Sequence, residues 1–122
     1  MAASLAGAAI FAGLGPSAAD TYLGSYQARM SPRDHHASDG YPLDTAAQIV
    51  RQDRANWHRF GRGDAEDEGD RWFRSADSRA RLERMLNRGA AMNEATRSAI
   101  LHGTPVIQVD VYRDSVRVEI VY

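Results

Sequence analysis

The 122-residue chain has no cysteine, no lysine and no apolar run long enough to span a bilayer. Without cysteine there can be no disulfide staple, thiolate metal site, cysteine nucleophile or lipid-anchored bacterial N-terminus. Without lysine, all 15 basic residues are arginine, which together with 20 alanines reads first as a compositional bias. The formal net charge of −1 argues against a sequence-blind nucleic-acid binder. The length suits one domain and excludes separate cofactor and substrate halves. No G-x-S-x-G, P-loop or H-E-x-x-H pattern is present.

Charge itself is absent from residues 1–19 and begins at Asp20. The apolar run LAGAAIFAGL over 5–14 is followed by Gly15-Pro16 and then Ser17-Ala18-Ala19. Small residues at Ser17 and Ala19 fit an A-x-A-like signal peptidase site with cleavage before Asp20, although no arginine precedes the apolar run. A membrane anchor is the rival reading, but a span needs about 20 apolar residues. We therefore expect 1–19 to be a signal peptide and 20–122 to be a periplasmic or secreted domain, with no membrane insertion once the leader is removed.

Segment 20–42 carries Gly, Ser, Pro and Asp punctuation without sustained period. It reads as an irregular lead-in, with room for a short strand over 21–28 and with Tyr22, Tyr26 and Tyr41 covering the core. The single α+β domain is expected over 43–122. Thr45-Ala-Ala-Gln48 matches a capping box. Ala46, Ile49, Val50, Trp57 and Phe60 then repeat at helical spacing until Gly61. A second helix is predicted from Ala76 to Arg88 behind Ser75, with Leu82, Met85 and Leu86 inward and Arg79, Arg81, Arg84 and Arg88 outward. A third runs over 94–102 behind Asn93, burying Ala95, Ala99 and Ile100.

The end of the chain alternates twice, over 106–112 and 116–121. An antiparallel hairpin through Arg113-Asp114 sets Val111 opposite Val116, Val109 opposite Val118, Ile107 opposite Ile120 and Asp110 opposite Arg117. A lone hairpin is marginal in water, so three helices should pack on it, with a third strand available from the lead-in.

Three groups could carry function. The acidic loop holds Asp64, Glu66, Glu68 and Asp70 at alternate positions with Gly69 between the last two, echoing the first half of a calcium loop. The echo stops at Ser75, where a bidentate Glu is required. The loop is therefore expected to be solvated and paired with neighbouring arginines, with no cofactor, and calcium or another metal at Asp64, Glu66, Glu68 and Asp70 is the alternative. Asp34, His35, His36 and Asp39 have the chemistry of a transition-metal site, set against a mobile polar loop. Finally, Asp53 falls within the apolar stripe of the first helix and needs a partner, because an unpaired buried carboxylate costs several kcal/mol. Arg71 or Arg74 would supply it and tie the acidic loop to the helix. Asp53, Trp57, His58, Arg71 and Arg74 form the candidate binding set. Asp53 and His58, five residues apart, point about 140° away from each other on one helix and form no dyad.

The reading is a small exported protein with a non-enzymatic binding or accessory role in the cell envelope. Its protein partner and oligomeric state are left open. A calcium-binding module and a small cell-wall hydrolase using His58 or His102 are the rivals.

Overall fold

A computed structural model describes residues 19–122, so the expected leader lies outside the described residues apart from Ala19. The elements in order are β1 (Tyr22–Arg29), a 3-10 turn (Pro32–His35), α1 (Ala46–Phe60), α2 (Ala76–Leu86), a second 3-10 turn (Gly89–Ala91), α3 (Glu94–His102), β2 (Val106–Tyr112) and β3 (Val116–Ile120). Three helices thus pack on a three-stranded antiparallel sheet of order β1-β2-β3, an α+β fold. No described helix is long and apolar enough to cross a membrane.

The β2–β3 register is the one that both faces of the hairpin require: Val111, Val109 and Ile107 oppose Val116, Val118 and Ile120, and Asp110 opposes Arg117. The third strand comes from the lead-in, with Tyr26 against Val109 and Ala28 against Ile107. Side chains alternate across each strand, so Tyr26, Ala28, Ile107, Val109, Val111, Val116 and Val118 enter the core. A register irregularity at Gly24 interrupts the ladder. Gly24 has φ +151°, and a Cβ there would stand 2.8 Å from the Trp72 ring, so glycine lets the indole lie on the strand.

Each helix starts where a side-chain oxygen meets a free N–H. Thr45 Oγ1 accepts from Gln48 N–H at 3.1 Å, and Asn93 Oδ1 accepts from Thr96 N–H at 2.8 Å. The capping box at α1 is only half formed, because Gln48 Oε1 accepts from Asp44 N–H and not from Thr45. Gly61 ends α1 in the left-handed region at φ 63°.

Four expected core positions lie elsewhere. Tyr22 and Tyr41 are 55% and 75% exposed, leaving Tyr26 as the one lead-in tyrosine in the core. Phe60 is exposed at the last position of α1, with the Arg59 and Arg62 guanidiniums over its ring. On α3 the face that buries Ile100 carries Thr96, one turn earlier, while Ala95 is exposed. On α2, Arg79 is buried beside Leu82 and Leu86, not turned outward.

Ile49→Ala should therefore cost about 2–5 kcal/mol of stability. Phe60→Ala should cost about 1 kcal/mol or less. Urea unfolding of both variants checks this; equal losses would mean that the end of α1 packs as tightly as its middle.

Candidate functional site

The residues Ala46, Val50 and Arg54 sit at four-residue intervals on α1, which carries Arg54 onto the apolar face of the helix. Its side chain is fully buried. Nε donates to Asp53 Oδ2 at 2.8 Å, and Nη1 donates to Asp70 Oδ2 and to the Glu68 carbonyl at 2.8 and 2.9 Å. The guanidinium lies 4.1 Å from the centroid of the Tyr26 ring and 5.6 Å from that of Trp57. Asp53 does pair with an arginine, but the arginine is its neighbour; Arg71 and Arg74 are exposed. The acidic loop is nonetheless tied to α1, through Arg54.

One cation shared by two buried carboxylates cannot compensate both equally. Asp70 has further help: Oδ2 also accepts from His58 Nε2 at 2.7 Å, and Oδ1 accepts from the N–H groups of Trp72 and Phe73. Burial pushes Asp70 up, but the hydrogen bonds from His58, Arg54 and Phe73 outweigh it and hold the carboxyl below its usual range. For Asp53, burial dominates and drives the carboxyl well above that range, with Arg54 opposing. Asp34 is raised by burial as well; it accepts from Asn56 Nδ2 at 2.8 Å and from Ser31 N–H and Oγ–H.

The acidic loop is occupied by contacts of its own. Glu68 Oε1 accepts from Gln27 N–H at 2.8 Å, and Glu68 N–H donates to the Gln27 carbonyl. Asp67 accepts from Arg29 N–H at 2.7 Å, and Glu66 pairs with the Arg29 guanidinium at 2.8 Å. These are outward-pointing groups at the Gln27–Arg29 end of β1, so the loop covers that end of the sheet edge. Its glycines are needed for the same reason. A Cβ at Gly63 would stand 2.6 Å from the Trp57 ring, and one at Gly69 would stand 3.3 Å from it. Thus Trp57 supports the loop from beneath. Asp64, Glu66, Glu68 and Asp70 do not converge, and no group of three or more acidic or histidine side chains able to hold a metal occurs among the described residues. The Asp34–Asp39 set also diverges: His35 Nδ1 and Nε2 lie 2.8 and 2.9 Å from the Ser31 and Ile100 carbonyls, and Asp39 accepts from Tyr41 N–H. His58 is held against Asp70, while His102 lies exposed on α3 against the Ser98 carbonyl; the two are not brought together.

A cleft of about 460 Å³ opens between α1, α2 and the loop after the first 3-10 turn. It is lined by Arg51, Arg59 and Arg79, with Gln48 and Gln52 and the carboxylates Asp39 and Glu83. Arg51 pairs with Glu83 across the helices at 2.9 Å. Arg79 is only 7% exposed, and its Nη1 meets two backbone carbonyls, those of Phe73 and Arg74. Among the described residues, neither Arg59 nor Arg79 has a carboxylate within ion-pair distance. Burial, and then the like charges of Arg51 and Arg59, lower the Arg79 pKa. A buried guanidinium beside two others favours an anion in the cleft. The sequence carried a signal for Arg79, which stands three residues before Leu82 and seven before Leu86, on one helix face.

The opposite shifts of Asp53 and Asp70 give opposite pH dependences. With its folded pKa depressed, Asp70 contributes stability above its unfolded value of about 3.9, lost as pH falls through the lower folded value. With its folded pKa raised, ionised Asp53 costs stability as pH rises from about 4 through the higher folded value. Asp53→Asn should accordingly gain stability relative to the parent chain as pH rises, read as unfolding midpoints from pH 4 to 8; a constant difference would refute the uneven sharing of Arg54. No protein-family model, curated protein or solved structure matches this chain.

Proposed function

We propose that this is a small exported protein with a non-enzymatic binding or accessory role in the cell envelope, and that the cleft between α1 and α2 is where it binds. The observation that carries the reading is Arg79: a guanidinium 7% exposed, lining an open cleft with Arg51 and Arg59 and, among the described residues, with no carboxylate within ion-pair distance. A bound oxyanion, carboxylate or phosphoryl, supplies the missing countercharge. Guanidinium forks match the two-oxygen edge of such groups, and the water-poor floor of a cleft strengthens each contact. The leucine and alanines beside them, Leu43, Ala37, Ala55 and Ala76, suit an apolar body attached to the anion. The group belongs either to a small molecule or to an acidic side chain of a protein partner. Export rests on residues 1–19, and intact mass of the protein from an envelope fraction should place the mature terminus at Asp20.

Calorimetric titration of the protein with pyrophosphate and with citrate, together with thermal unfolding, tests the cleft. Saturable binding and a raised Tm are expected. Arg59→Glu should weaken binding by about tenfold or more, since each charge-assisted contact is worth about 1.5–3 kcal/mol. Arg84→Glu, on the exposed side of α2, should leave it unchanged. Equal losses in the two variants would reduce the effect to general charge. If neither probe binds while a protein from the envelope fraction is captured and Arg59→Glu abolishes capture, the anion is a partner's side chain.

A further inference from the structure

The two edges of the sheet are treated differently. Hydrogen-bonded and non-hydrogen-bonded pairs alternate in an antiparallel ladder. Tyr112 N–H donates to the Ser115 carbonyl at 2.9 Å and Val121 N–H to the Val106 carbonyl at 2.8 Å. Counting inward from both ends, Arg117 and Glu119 bond to β2, and the N–H and C=O groups of Val116, Val118 and Ile120 point away from it. Asp67 and Glu68 cover the edge of β1 at Gln27 and Arg29, but among the described residues no hydrogen bond meets these groups of β3. A cleft of about 490 Å³ lies alongside, between Arg117–Ile120 and the 3-10 turn Gly89–Ala91.

We propose that this edge pairs with β3 of a second copy, antiparallel about a two-fold axis at Val118, giving a continuous six-stranded sheet. The strand Val116-Arg117-Val118-Glu119-Ile120 is self-complementary under that operation. Val118 faces the partner's Val118, Val116 faces the partner's Ile120, and these outward groups form the hydrogen-bonded pairs. Arg117 falls opposite the partner's Glu119, twice by symmetry, at the closely spaced non-hydrogen-bonded positions where opposite charges stabilise most. Arg117 already faces Asp110 on β2, so the outer face of the joined sheet carries alternating charge across the seam. On the inner face, Ile120, 38% exposed in one copy, is set beside the partner's Val116, at a small hollow lined by Met85, Ala90 and Ala91. A one-residue shift in either direction loses the two-fold pairing of Arg117 with Glu119 and turns the valines to the outer face.

Sedimentation equilibrium of the full chain should give twice the chain mass. Glu119→Arg sets Arg117 against a partner's arginine, and Arg117→Glu sets Glu119 against a partner's glutamate; each should weaken the dimer about tenfold. An equimolar mixture of the two variants restores both opposite-charge pairs and should return to dimer mass, an outcome that general destabilisation cannot produce. Ile120→Pro removes an outward N–H while leaving the β2 ladder intact, and should also yield monomer with an unchanged near-ultraviolet spectrum. A full chain that stays monomeric at every concentration, a Glu119→Arg variant that dimerises like the parent, or folded variants that fail to reassociate on mixing would each overturn the proposal.

Discussion

One buried guanidinium organises this protein. Arg54 leaves α1 on its apolar face, places its guanidinium 4.1 Å from the centroid of the Tyr26 ring of β1 and takes two carboxylates and a carbonyl as hydrogen-bond acceptors. A charge withdrawn from water is tolerated only with its partners in place. The position of the acidic loop is therefore set from the core outward. Asp70 must reach Arg54, and in doing so its second oxygen receives the N–H groups of Trp72 and Phe73. That bond set delivers Phe73 into the core against Tyr26 and lays Trp72 on Gly24. A highly charged stretch is thereby held to α1 and β1 by specific hydrogen bonds.

With the loop held by Asp70, Glu66, Asp67 and Glu68 fall along β1. Asp67 and Glu68 satisfy backbone donors of this edge strand and cover its Gln27–Arg29 end. At the other edge no hydrogen bond among the described residues meets the outward groups of β3, and a small hollow lined by Met85, Ala90 and Ala91 lies beside it. In the proposed dimer the two-fold operation joins this edge to itself and so closes on two copies.

The cationic surface follows from the same segregation. Glu66 pairs with Arg29 and Asp70 with Arg54 and His58, while among the described residues the arginines at the junction of α1 and α2 have Glu83 as their ion-paired carboxylate. A net charge of −1 conceals this, because the acids are satisfied inside one network and the cations are gathered in another place. The proposed binding cleft between α1 and α2 and the proposed seam at β3 share no lining residue.

Periodicity and capping made much of the fold legible. The spacing of Val106–Ile120 settled the hairpin register, since a shift of one residue would turn every valine outward. Thr45, Ser75 and Asn93 marked the helix starts because their side chains satisfy N–H groups within their own turn. The need of Asp53 for an arginine was likewise legible, since burial of a carboxylate demands a partner whatever the fold. What only the tertiary structure decided was who meets whom. Arg54 and not Arg71 or Arg74 answers Asp53; the loop acids meet β1 and not one another; and Arg79 turns inward to a cleft. Local pattern encodes which groups require partners, whereas the choice among partners far apart in the chain is made by the packing of α1, the loop and β1 around one shared charge.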